Sequence, residues 1–553
     1  MRRACAKGRA VNLRRGCSLF ALASCVLSNA LGGCSSGPPP AHADRFVYGD
    51  QIEPDSLNPK LSTSLAARRV EALLFDGLLR YGRSGSLEPD LATVVPTRAN
   101  GGISADGKTL TYHLNPRARW HDGVPVTAAD VLYTWHAILD PANRVTTRVG
   151  YDEIARMTAP DPLTLRIQYR APYAPAISLF TTNFGLILPE HALAAEDFNA
   201  GTFGRAPLGS GPYVFDRWNH GNSIELHANP DYFRGAPRIG RLLYRIVPDT
   251  TTLFNAIRTH EIDAAEVEAN FVAPLRSVAG IAVAAAPELG YRHMEFNTSH
   301  PALHEPVVRL ALSYAVDRAA VFDKIYFGLG DRAPGDVLPA SGWGDPHLRP
   351  YPHDTVRAEA MLERAGWRRG SDGVRAKNGV RLDLSLAAVA GQRPAEATEV
   401  ELQSDWAKIG VRTSIKNEPG AALFAATGPL ARGTFDIAYF GWVDDPDPDD
   451  TNRFGSAKAP PIGLNYSRLA DRTVDALQRR SLAAVQGAAR HAIVARLEDR
   501  LVALDAADTI YWIPSLIAHT TSVRGIDPIP DGVVFWNVQD WRFIKPRARR
   551  ASC

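Results

Sequence analysis

Between Cys34 and the last residue, Cys553, the chain has no cysteine; Cys5, Cys17 and Cys25 all fall in the first 33 residues. A disulfide framework and a cysteine-built zinc site are therefore excluded from the body. The body also lacks any uncharged apolar run of the 18 or so residues that a membrane-crossing helix needs. No motif of fixed period recurs, which argues against solenoids and propellers. A Gly-x-Ser-x-Gly elbow, a His-Glu-x-x-His helix and a phosphate loop are all missing. His304-Glu305-Pro306 opens like a zinc motif, but no histidine follows at the required spacing. These absences leave little room for an enzyme, a cofactor or a resident metal.

Basic residues are scarce on the body too. The formal net charge is +3, but Arg2, Arg3, Lys7, Arg9, Arg14 and Arg15 lie in residues 1–33, which hold no acid. Setting those six aside leaves 56 Lys and Arg against 59 Asp and Glu, a net charge of −3. No basic patch marks a nucleic-acid partner. With 553 residues, 45% hydrophobic and 22% charged, the composition is that of a globular chain long enough for two or three lobes.

The first segment reads as an address. A basic stretch to Arg15 is followed by an apolar run, Cys17 to Leu31, of signal-peptide length. It ends in Leu31-Gly32-Gly33-Cys34, similar to the bacterial lipobox, in which cleavage precedes a cysteine that becomes lipidated. Ser-Ser-Gly-Pro-Pro-Pro after Cys34 suits a tether. Residues 1–33 are thus expected to be a signal peptide and 34–43 a lipidated tether, placing the body in the periplasm or cell envelope.

The body mixes strand and helix patterns. Arg45–Gly49 alternates as a strand. Ala66–Leu79 carries a helical face at Val70, Leu73, Leu74 and Leu78. Thr127-Ala128-Ala129-Asp130 is a capping box opening a helix. One long helix is expected after Pro306, reaching Val321, and others at Thr355–Ala365, Ala395–Ile409 and Asp471–Leu504. Strands are expected at Leu110–Leu114, Ile224–His227, Leu243–Ile246, Leu382–Leu386, Val411–Lys416 and Phe435–Tyr439. The class is α/β or α+β with several lobes.

Long strings then occur in a fixed order: Glu53-Pro54-Asp55-Ser56-Leu57-Asn58-Pro59, Leu74-Phe75-Asp76-Gly77-Leu78, Asp106 to Leu114, Trp120-His121-Asp122-Gly123-Val124-Pro125 to Val131, and Pro207-Leu208-Gly209-Ser210-Gly211-Pro212-Tyr213. Asn229-Pro230-Asp231-Tyr232-Phe233, Phe296-Asn297-Thr298, Val308 to Arg318 and Asp405-Trp406-Ala407-Lys408-Ile409-Gly410-Val411 follow. Together they resemble the peptide- and nickel-binding receptors (the oligopeptide- and dipeptide-binding type) that serve ABC importers. The resemblance implies a two-lobed periplasmic-binding-protein fold of the α/β class, closing by a hinge, with an extra third domain on the first lobe. The expected division is 44–88, 206–288 and 512–545 for the first lobe, 89–205 for the extra domain and 289–511 for the second lobe. Most of the strings read as scaffold. His121-Asp122-Gly123 is a turn, and Gly209-Ser210-Gly211 lacks the lysine of a phosphate loop.

The same resemblance implies the site. In Gly441-Trp442-Val443-Asp444-Asp445, the acid three residues after the tryptophan would pair with a peptide's ammonium. That acid is Asp445, with Asp444 the alternative because the run to the following Asp-Pro is shorter than in the family. Trp442 would wall a side-chain pocket; its other reading is core packing at a strand end. Arg393, in Gln392-Arg393-Pro394, would hold the carboxylate, or else is a surface residue. Thr63 and Leu65 would lend main chain to the ligand. Asp445, Asp447 and Asp449 alternate as in a calcium loop, but Asp450 stands where that loop needs glycine. His519 reads as structural. The implied partners are a peptide, an ABC permease with its ATPase, and a membrane through Cys34, with the receptor itself a monomer. A receptor of the same fold for nickel or another solute, and a surface-binding lipoprotein uncoupled from transport, are the alternatives.

Overall fold

Phe46, Val47 and Tyr48 are all buried, so the strand Arg45–Asp50 has no solvent face. Such a strand belongs inside a sheet covered on both sides, and it pairs in parallel with Arg241–Ile246 and Ala264–Glu266. In the computed structural model, the residues described are 45–544 except 84, 182–184, 333, 338–340, 445, 486 and 530–532. All belong to one compact unit spanning residues 44–553. Cys34 and Asp445 lie outside the described residues.

One ten-stranded sheet organises the body. Its order is Arg412–Ile415, Asp383–Ala388, Ile437–Val443, Ile281–Phe296, Ala507–Thr520, Ala264–Glu266, Arg45–Asp50, Arg241–Ile246, Ser223–Ala228 and Tyr213–Asn219. Two strands, Ile281–Phe296 and Ala507–Thr520, are long enough to serve both halves. They pair from Ile281 with Thr520 to Pro287 with Pro514, break, and resume at Tyr291 with Trp512. The Ile281 end adjoins the strands around Arg45–Asp50, and the Phe296 end adjoins Ile437–Val443.

Each half has its own core. Val47, Ala265 and Leu516 pack under the helices Thr250–Arg258 and Ala269–Arg276, while Phe46, Tyr48 and Tyr244 face the opposite side. That second side also contains Leu110, Tyr112, Val131, Leu165 and Ile167. These come from a separate three-stranded sheet (Thr109–His113, Thr164–Tyr169, Ile154–Asp161) and its helix Ala128–Leu139. In the other half, Met294, Leu384, Leu386 and Tyr439 pack against the helices Pro306–Ala315 and Arg393–Lys408.

Local signals explain several elements. The Asp130 carboxylate accepts from the Thr127 N–H at 2.8 Å, as the capping box requires. Gly123 takes φ +89° in the His121-Asp122-Gly123 turn. A Cβ at Gly209 would sit 1.8 Å from the Leu74 carbonyl oxygen, and the Ser210 hydroxyl donates to Asp76 at 2.7 Å. The Gly-Ser-Gly string is therefore a close-packing device.

Three expected helices end early. The first is Leu65–Leu74, not 66–79, because the Leu74 carbonyl is taken by the Gly211 N–H and Leu78 and Leu79 turn to the Phe180 carbonyl. The stretch after Pro306 is two helices, Pro306–Ala315 and Arg318–Lys324. Asp317 caps the second by accepting from the Ala320 N–H at 2.9 Å. The stretch 471–504 is likewise two helices, Arg472–Ala483 and Gly487–Leu504.

Candidate functional site

The strand Ile437–Val443 begins buried and emerges at Gly441. It runs beyond the expected end at Tyr439, so Trp442 is a strand residue. Its parallel neighbour Asp383–Ala388 stops opposite Tyr439. From Gly441 to Val443 the strand pairs only with residues 290–292 of the long strand. The Trp442 ring stacks on Tyr466 at 6.0 Å and 7° and meets Phe440 edge-on at 5.5 Å. Leu289, Tyr291 and Trp512 pack around it. Trp442 is half-buried, so it packs on the core and keeps an open face.

The acidic loop that follows is mostly compensated. The Asp444 N–H donates to the Leu289 carbonyl at 2.9 Å, and its carboxylate pairs with Arg453 at 2.8 Å. Arg453, on the short helix Thr451–Phe454, also reaches Asp336 at 3.3 Å and donates to the Tyr291 hydroxyl. It is thus a largely covered cation joining the acidic loop, the loop at Asp336 and a long strand. Asp447 accepts both arms of Arg490, at 2.5 and 2.6 Å. Asp450 accepts from Gln478 at 3.1 Å and Asp449 from the Thr451 N–H at 3.1 Å. Among the described residues, no three His, Cys, Asp or Glu are grouped to hold a metal ion.

Burial governs the titration of this floor. It raises the carboxyls of Asp336 and Asp450 above the usual range, against the pull of Arg453. It pushes Glu498 up to about 9, with the charges of Asp336, Asp345 and Asp450 adding to the shift. Glu498 is therefore neutral at pH 7. Leu289, Asp336, Asp444, Asp447, Arg453 and Trp512 line an open pocket with about 280 Å³ of empty space. A second hollow shares Leu289, Ser341 and Pro446 with it and reaches Tyr81, Gly82 and Ile529 of the other half.

Gly441, Trp442 and Asp444 thus cluster where the strand emerges. Of these only Asp444 lines the pocket; Gly441, Trp442, Arg393, Thr63 and Leu65 do not. Arg393 is exposed at the first position of its helix. It leaves the sheet at the same edge as Trp442, because Ala388 lies beside Tyr439. Thr63 is exposed and Leu65 half-buried at the start of Leu65–Leu74, where the Ser62 hydroxyl accepts from the Ser64 N–H at 3.0 Å. His519 bonds the Thr520 carbonyl and lies in the sheet. Sequence reading missed Arg453, Asp336, Tyr291 and Trp512, whose only signal is convergence in space.

A family model described as "Bacterial extracellular solute-binding proteins, family 5 Middle" matches residues 86–459. The chain belongs to that family. Among family 5 relatives, Protein XP55 of Streptomyces lividans is 30% identical over 77% of this chain and 76% of its own length. The oligopeptide-binding protein AppA of Bacillus subtilis is 26% identical over 79% of this chain and 80% of its own. The structure of NikZ from Campylobacter jejuni with Ni(L-His) overlays with a TM-score of 0.76 at 24% identity, covering 91% of this chain and 100% of that one. The AppA structure with a nonapeptide overlays at 0.74 and 22% identity, covering 91% and 99%. The fold is the two-lobed periplasmic-binding-protein fold of family 5.

Proposed function

We propose that this chain is the extracytoplasmic receptor of an ABC importer, binding di- or oligopeptides in the cleft between its lobes and delivering them to a membrane permease and its ATPase. The observation that carries the reading is the half-open strand edge at Gly441–Val443, beside Trp442 and a hollow shared by both halves of the sheet. A peptide laid there gains main-chain hydrogen bonds as an added strand, with Trp442 walling a side-chain pocket. The naming of AppA as oligopeptide-binding supports the same ligand class.

Asp445 receives the ammonium in this proposal. Asp444 is already answered by Arg453, which favours Asp445 over it. Arg393 takes the carboxylate, and Thr63 and Leu65 offer main chain from the first lobe. The proposed lobes are 44–88, 206–288 and 512–545 for the first and 289–511 for the second, with 89–205 as the third domain. The break in pairing between Pro287 and Tyr291, opposite Pro514 and Trp512, supports the boundary and supplies the hinge. Cys34 carries the lipid, and the receptor works as a monomer.

Calorimetry of the mature body against di-, tri- and pentapeptides tests this. Asp445→Ala is expected to abolish binding, and Asp444→Ala to leave the fold weaker; unchanged affinity in Asp445→Ala refutes the assignment. The likeness to NikZ supports a second reading, a metal chelate as solute. Nickel with histidine belongs in the same titrations; binding of that complex and of no peptide would replace the first reading.

A further inference from the structure

Arg292 stands on the long strand Ile281–Phe296, two residues past the break, opposite Gly441 on one side and Tyr511 on the other. Its side chain does not turn away from Gly441. A Cβ at Gly441 would lie 2.8 Å from Arg292 Nη1 and 3.2 Å from its Cδ. The arm therefore crosses the glycine, and the lack of a side chain at 441 is what lets it cross. On the far side of Gly441 the sheet has no further strand, since Asp383–Ala388 has ended at the level of Tyr439.

Strands in a sheet are about 4.8 Å apart. A ligand strand added beside Gly441 would lie two spacings, about 9–10 Å, from the Arg292 backbone. An arm that already lies over the middle strand has its guanidinium within hydrogen-bonding reach of the ligand. The residue is half-buried and, among the described residues, its side chain makes no hydrogen bond and no ion pair. The neighbouring arginine Arg69 is committed to Asp50 and Glu266. Glu288 feels the charge of Arg292, but Arg69 and Arg68 act on it as well. A guanidinium offers five donors in a planar fork matched to a carboxylate.

We infer that Arg292 reaches across Gly441 to bind a carboxylate of the ligand lying along Gly441–Val443. This rests on the peptide-receptor reading and adds to it an anion contact placed at the hinge. The carboxylate can come from two sources: a peptide C-terminus, in which case Arg292 takes the role given above to Arg393, or an acidic side chain, in which case Arg393 keeps it.

The test compares wild type with Arg292→Gln by calorimetry. The probes are alanine peptides of two to five residues as free acids and as C-terminal amides, and the same amides carrying one glutamate. Arg292→Lys and the melting temperature control for folding. If the C-terminus is bound, Arg292→Gln weakens the free acids at least tenfold and leaves the amides unchanged. If an acidic side chain is bound, the loss appears in the glutamate-bearing amides instead. Equal affinities of wild type and folded Arg292→Gln for every probe overturn the inference. If wild type binds no peptide in any form, the peptide reading falls, and both proteins are titrated with succinate and citrate. Binding lost in Arg292→Gln then sustains the anion contact; binding kept, or none to wild type, overturns it.

Discussion

Replacing Arg453 with methionine removes the one cation that Asp336, Asp444 and the Tyr291 hydroxyl share. The three partners stay behind in a place with little water: the side chains of Arg453, Asp336 and Asp444 are 13%, 6% and 16% exposed. Breaking a buried pair by removing one partner costs about 3–5 kcal/mol, because the uncompensated charge remains. That is a large part of the roughly 5–15 kcal/mol that stabilises an ordinary domain. Burial already raises the Asp336 carboxyl against the pull of Arg453, and without that cation it rises further, so the penalty is full at neutral pH and shrinks as Asp336 protonates. Urea unfolding of wild type and Arg453→Met at pH 7 and pH 4 reads this directly. The expected gap is about 3–5 kcal/mol at pH 7 and clearly smaller at pH 4. Adding Asp336→Asn to the variant should recover part of the loss, since one carboxylate that Arg453 answers is gone. A gap under about 1 kcal/mol at pH 7, typical of an exposed pair, or a gap unchanged at pH 4, would refute the hub.

Three further outcomes are expected. Glu498 has its carboxyl raised from 4.5 to about 9, so folding takes up a proton between those values and stability falls as pH rises through that window; Glu498→Gln should raise the melting temperature at pH 8 and leave it near wild type at pH 4, and no gain at pH 8 would contradict the burial argument. Gly209→Ala forces a methyl into the Leu74 carbonyl and should cost about 3 kcal/mol, the upper end for overpacking; an unmoved urea midpoint would reopen the string to a functional reading. Trp442→Ala should weaken peptide affinity about tenfold, with Trp442→Phe restoring most of it, because the open ring face supplies apolar wall; equal affinities by calorimetry would confine Trp442 to the core.

Legibility followed the range of the interactions. The Thr127 capping box, the Gly123 turn and the buried strand at Phe46–Tyr48 were readable because their causes lie within a few residues. Helix ends at Leu74 and Ala315 were not. The first is fixed by Gly211 and Phe180, far along the chain, and the second by a cap at Asp317 inside an otherwise helical pattern. The same division holds at the site. Gly441, Trp442 and Asp444 are contiguous and stood out together. Arg453 and Tyr291 are 162 positions apart, and Arg292 matters only once Gly441 is seen beneath its arm. Arg393 stands out by a short string, and it sits outside the pocket that Asp444 helps to line.

Near the two ends of the described chain, Phe46 meets Trp541 at 5.2 Å and Tyr48 meets Phe535 at 4.9 Å. A polypeptide that emerges N-terminus first therefore presents its opening strand long before the aromatic lid that seals it. The first core stays unsealed until residue 541 is free. Trimming the last segment would strip its opening strand of cover, an injury felt at the opposite end of the sequence.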